Sequence, residues 1–122
     1  MPYAFYKAMH FFGIVMLFTA LGGTVLHVIN GGNKASNAAR GLVAALHGIA
    51  LALILTGGFG MMARLGYITE WPGWIYGKLA VWVALPILGV IAQTKPEHGR
   101  TVLVLIPLVG LLAAWLAIYK PM

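Results

Sequence analysis

Long apolar runs fill the chain, and clusters of polar and turn-forming residues break them at three places. A bilayer core needs about 20 apolar residues per helix. The first run, about Phe5 to Ile29, stops at Asn30-Gly31-Gly32-Asn33, residue types that accept a positive φ. It extends beyond the core of a signal peptide and reads as a retained first helix. The second, about Ala38 to Arg64, has Ser36 or Asn37 available as its cap. After a short loop, Leu65 to Pro72, a third helix spans about 73–94, with Pro72 suited to its first turn and a kink expected at Pro86. The polar turn Lys95-Pro96-Glu97-His98-Gly99-Arg100 leads to a fourth, about Thr101 to Tyr119, which contains Pro107 and ends at Lys120-Pro121. Connections this short join antiparallel neighbours, so the expected fold is an all-α integral membrane protein: one domain, residues 1–122, forming a four-transmembrane-helix up-down-up-down bundle.

Composition agrees with a lipid-embedded chain. At 122 residues, 61% hydrophobic, with a mean hydropathy of +0.93, it has too little polar surface to coat a water-soluble domain. Glu70 and Glu97 are the only acidic residues, so the net charge of +6 reflects a scarcity of acid. The lysines and arginines stand mainly near segment ends, which suits lipid headgroups and excludes a nucleic-acid reading. Cysteine is absent, and with it disulfides, thiolate metal sites and covalent c-type haem attachment. The basic loops Lys34 to Arg40 and Lys95 to Arg100 point to a cytoplasmic side, with both termini outside, in a bacterial inner (cytoplasmic) membrane.

Small residues mark where backbones can approach closely. Gly41, Ala45, Gly48 and Ala52 draw such a stripe on the second helix, and Gly13 and Ala20 a weaker one on the first. These stripes predict the helix contacts within the bundle.

Within the apolar runs the chemically active residues are His10, His47 and Lys78, and no carboxylate accompanies them. An ionisable group at membrane depth costs at least about 2.5 kcal/mol unless it has a partner or a task. At about 1.5 Å of rise per residue, His10 lies about 10 Å from the middle of its helix towards the N-terminal side, and Lys78 reaches a comparable level. Met61 and Met62 approach that level too, with Arg64 just beyond, so these residues are expected to line one cavity. His47 falls in the other half of the bilayer, about 15 Å or more from His10, so the two candidate metal ligands serve no common ion.

A haem iron takes an imidazole on one face and a second ligand or an open position on the other. His10 is the best available ligand, with Met61, Met62 or Lys78 on the opposite face and Arg64 and Tyr76 placed to meet the propionates. Each residue also has a plainer role: His10 hydrogen-bonded to a neighbouring carbonyl, Lys78 snorkelling to the headgroups, the methionines filling space. His27 and His98 lie near the opposite surface.

Lys7-Ala8-Met9-His10, opening the first helix, and Trp74-Ile75-Tyr76-Gly77-Lys78-Leu79, opening the third, resemble the corresponding segments of HemJ-type protoporphyrinogen oxidases and of related CopD-like four-helix membrane modules; Arg40-Gly41-Leu42 echoes the basic start of the family's second helix. The resemblance implies a haem b protein, with His10 matching the haem-associated histidine and Lys78 the family's essential, catalytic lysine. It also implies removal of hydrogen from a tetrapyrrole, with electrons passed onward to quinone. The expected function is therefore a b-type haem redox protein in electron transfer or tetrapyrrole oxidation. Two other classes stay open: a non-catalytic accessory subunit of a larger respiratory or photosynthetic complex, or a homo-oligomer, and a copper-handling protein using His and Met ligands. Proton-coupled efflux is disfavoured because no carboxylate lies in the spans.

Overall fold

A computed structural model describes residues 2–67 and 69–120. The helices are α1 (Tyr3–Ile29), α2 (Arg40–Leu65), α3 (Gly73–Thr94) and α4 (Gly99–Tyr119), with a 3₁₀ turn at Pro96–His98 before α4. All four are long and apolar enough to cross a membrane, and they form an antiparallel bundle. The protein is thus a four-helix integral membrane protein.

Helix ends shift by a few residues from the sequence-based bounds. α2 begins at Arg40, and no side chain caps it: Ser36 bonds Asn33 instead, while Asn37 Oδ1 accepts the amide of Ala39 at 3.0 Å. Gly66 ends α2 in the left-handed region at φ 82°, where a side chain would be strained. Pro72 precedes α3, and α3 continues through Pro86. Pro121 lies outside the described residues.

The core runs along α1. Leu17, Leu21 and Val25 of α1 are buried against Ala50 of α2, Leu85 and Ala92 of α3, and Val102 and Ile106 of α4. The outer faces carry exposed Val15, Leu42, Val83 and Leu111, as lipid contact demands.

Close backbone approach fixes the register of α1 on α2. A Cβ added to Gly57 would meet the backbone of His10 and Tyr6 at 2.7–2.9 Å, and one on Gly13 would meet Ile54 and the carbonyl of Ala50 at 2.9–3.0 Å. Gly60 lies under the ring of Tyr6. The expected stripe on α2 is therefore corrected: Gly41, Ala45, Gly48 and Ala52 are not buried, and neither Gly41 nor Gly48 has anything within 4 Å of an added Cβ. The α2 face that meets α1 carries Ala50, Ile54 and Gly57, whereas Gly13 and Ala20 of the weaker stripe are both buried.

α1 and α3 run parallel. His10 meets Lys78 across a separation of 68 residues, and Leu21 faces Gly89 in the same register. α4 returns antiparallel, with Leu116 over Gly77, so the end of α4 reaches the level at which α3 begins.

Candidate functional site

The site grows from one hydrogen bond. Nδ1–H of His10 donates to the carbonyl of Ile54 at 2.7 Å, and the close approach at Gly57 holds the two helices near enough for this bond. The ring is thereby fixed in the tautomer that leaves the Nε2 lone pair available. Nε2 lies 3.5 Å from Lys78 Nζ, at the long edge of hydrogen-bond reach. Among the described residues His10 is the one buried polar side chain, only 5% exposed.

Around this pair the helices leave a cavity of about 380 Å³, a volume within the roughly 300–1,000 Å³ of small-molecule sites. Its walls are almost wholly apolar: Phe18 from α1, Leu55 and Met62 from α2, Trp74 and Trp82 from α3, and Ala114 from α4. The indole N–H of Trp82 donates to the Leu51 carbonyl at 3.2 Å, tying α3 to α2 along one wall. Phe11 and Phe59 also line the cavity yet are well exposed, so it reaches the outer surface of the bundle.

Of the residues singled out from the sequence, His10, Lys78 and Met62 come together in this lining. Met61, Arg64, Tyr76 and His47 do not belong to it. The register explains the separation of Arg64: seven residues beyond Gly57, it stands about 10 Å further towards the surface than the turn that contacts His10. Tyr76 is exposed, its ring tilted against that of Trp71 with centres 5.5 Å apart, and Trp71 in turn lies 5.6 Å from Phe59. His47 is half-buried and, among the described residues, finds no hydrogen-bond partner. His27 bonds the hydroxyl of Ser36 at 2.9 Å, closing the α1–α2 loop, and His98 is exposed.

Two features at the cavity's rim escaped sequence reasoning. Lys120 Nζ stands 5.3 Å from the centre of the Trp74 ring, and Lys7 Nζ stands 5.7 Å from that of Phe11. Lys120 was legible in principle, because an antiparallel α3–α4 pair brings the last residues of α4 beside the first turn of α3. Glu70 and Glu97, the only acidic residues, are exposed and outside α1–α4, so no acidic side chain of the bundle offsets Lys78.

Among the described residues no group of three His, Cys, Asp or Glu side chains converges as a metal site. A centre built from three or more such side chains has no ligand set among the described residues. Haem asks for less from the protein, one imidazole and apolar walls, and the donor set fits that requirement: a ring nitrogen oriented by a carbonyl on its far side, with aromatic and aliphatic surface around it.

No protein-family model, curated protein or solved structure matches this chain.

Proposed function

We propose that this four-helix membrane protein binds haem b in the cavity beside His10 and works as a redox protein, in electron transfer or in oxidation of a tetrapyrrole of the protoporphyrinogen type. The observation that carries the reading is the Nδ1–H bond from His10 to the Ile54 carbonyl, which directs the Nε2 lone pair into a largely apolar cavity, with Lys78 Nζ 3.5 Å away. Metal-bound imidazoles are held in just this way, by a partner on the other ring nitrogen. The resemblance to HemJ-type oxidases adds support, since the two residues that carry it most, His10 and Lys78, are far apart in the chain and adjacent in space.

Haem, when bound, would supply the one-electron redox chemistry. The chain's own residues supply the rest. Ile54 orients His10, Trp74 and Trp82 exclude water, and Lys78 holds a positive charge beside the ligand nitrogen, ready for an acidic group of haem or substrate. The chain's place in the bacterial inner membrane, with quinone as electron acceptor, belongs to the same proposal.

Copper is the second reading, favoured by one observation: the soft sulfur of Met62 shares the lining with His10. Pyridine haemochrome quantification together with metal analysis of the purified protein separates the two. A Soret band and stoichiometric iron support the haem reading; a colourless protein carrying copper overturns it in favour of the second.

A further inference from the structure

The strongest unassigned feature is Lys120, exposed yet resting against Trp74 of the cavity wall, with Lys78 in the lining itself. Trp74 and Lys78 stand one turn apart on the same face of α3, and both line the cavity. Lys120 caps the last turn of α4, its amide bonded to the Leu116 carbonyl at 3.0 Å and its backbone in the left-handed region at φ 49°, unusual for a residue other than glycine. Its ammonium group rests over the Trp74 indole.

Three observations show what this arrangement lacks. Lys120 Nζ lies 5.3 Å from the centre of the Trp74 ring and Lys78 follows Trp74 by one turn, so two ammonium groups flank one indole. Neither has an acidic partner among the described residues, because Glu70 and Glu97 are both exposed and unpaired with them. The remaining walls are apolar and aromatic. A neutral ligand would leave half-buried Lys78 uncompensated, and a cationic one would add a second charge beside it. A ligand with an apolar body and an acidic end answers both the walls and that charge, and exposed Lys120 stands where such an end would reach the surface.

Building on the proposed ligand cavity, we propose that Lys120 and Lys78, flanking Trp74, form a receiver for a carboxylate of an amphipathic ligand whose apolar body fills the space towards His10. Lys120 meets the acidic group at the rim and Lys78 meets it one turn further in.

The test uses the full chain in nanodiscs of zwitterionic phosphatidylcholine, with a metal-free porphyrin dicarboxylic acid and its dimethyl ester as probes, read by porphyrin fluorescence. The expected result is about tenfold tighter binding of the diacid than of the ester. Lys120→Gln is expected to cut that preference at least about threefold with the affinity for the ester unchanged. Lys95→Gln removes the same charge at the opposite end of the bundle and is expected to leave both affinities alone. Equal binding of acid and ester overturns the proposal, as does an effect of Lys95→Gln matching that of Lys120→Gln. Loss of the acid preference when anionic phosphatidylglycerol replaces part of the lipid, seen with Lys120 present and not in Lys120→Gln, overturns it too, because the receiver then serves a lipid headgroup. The probes carry no iron, so protein that purifies without haem and keeps the acid preference removes the haem reading alone, whereas protein that purifies with haem and, once stripped of it, binds acid and ester equally removes this inference alone.

Discussion

The imidazole of His10 and the ammonium of Lys78, 68 residues apart in sequence, meet at 3.5 Å because α1 and α3 run parallel in a single register, shared by Leu21 and Gly89 further along. Two basic nitrogen groups side by side in an apolar cavity with no carboxylate make a poor stabilising contact. Folds usually break their own packing rules in this manner where a ligand is to be received.

Removing that conflict is expected to stabilise the ligand-free protein. Lys78→Met, similar in length and apolar, should raise the unfolding free energy by about 1–3 kcal/mol, since a half-buried charge without a counter-charge is replaced by packing. Thermal unfolding in mild detergent measures this. A lowered midpoint would show that Lys78 props the bundle.

His10 can lose its ligand role while keeping its structural one. Asn at this position has an amide N–H that can still donate to the Ile54 carbonyl, so His10→Asn should fold with a stability loss smaller than that of His10→Leu, which forfeits a hydrogen bond worth about 0.5–1.5 kcal/mol. Both should lose the bound ligand. Parallel unfolding and ligand quantification on the two variants checks the distinction, and equal stability losses would count against a structural role for the bond.

Gly57 is the position where α1 leaves no room on α2. The atoms nearest an added Cβ are backbone atoms, which cannot turn aside as a flexible side chain would. Gly57→Ala should therefore cost about 1–3 kcal/mol and move His10 away from Ile54. Gly48→Ala, with open space around it, should be neutral or slightly stabilising through helix propensity. Denaturant unfolding of the pair provides the comparison.

The absence of cysteine permits clean single-cysteine labelling. Asn33→Cys and Glu97→Cys should react with a membrane-impermeant maleimide from one side of the membrane, and Thr69→Cys from the other. Labelling of all three from the same side would contradict the alternating path of the four helices.

The helices were legible in the sequence because apolar runs of this length suit a bilayer and little else, and the turn residues between them are unambiguous. The pairing of His10 with Lys78 was legible at the level of depth alone. What could not be read was how far the cavity extends along the helices. Arg64 was expected to line it from just beyond the level of His10, whereas His10 meets Ile54 and Gly58, the level that the helix midpoints also give, and the lining stops short of Arg64. The stripe from Gly41 to Ala52 misled for a related reason. Lipid offers no penalty to an exposed glycine or alanine, so small residues on an outer face look the same in sequence as those in an interface. Lys120 escaped attention because its importance comes from the indole beneath it, which the α3–α4 pairing supplies.

The claim on which everything else rests is that His10 Nε2 is the protein's ligand to the bound group. Cavity rescue tests it most directly: His10→Gly, purified and supplied with haem, with and without added imidazole, followed by its Soret band and by resonance Raman spectroscopy of the iron–imidazole bond. The account predicts that the variant binds haem poorly alone and that imidazole restores the wild-type spectrum. A wild-type protein with no Soret band, or a His10→Gly variant with an unaltered one, would contradict it.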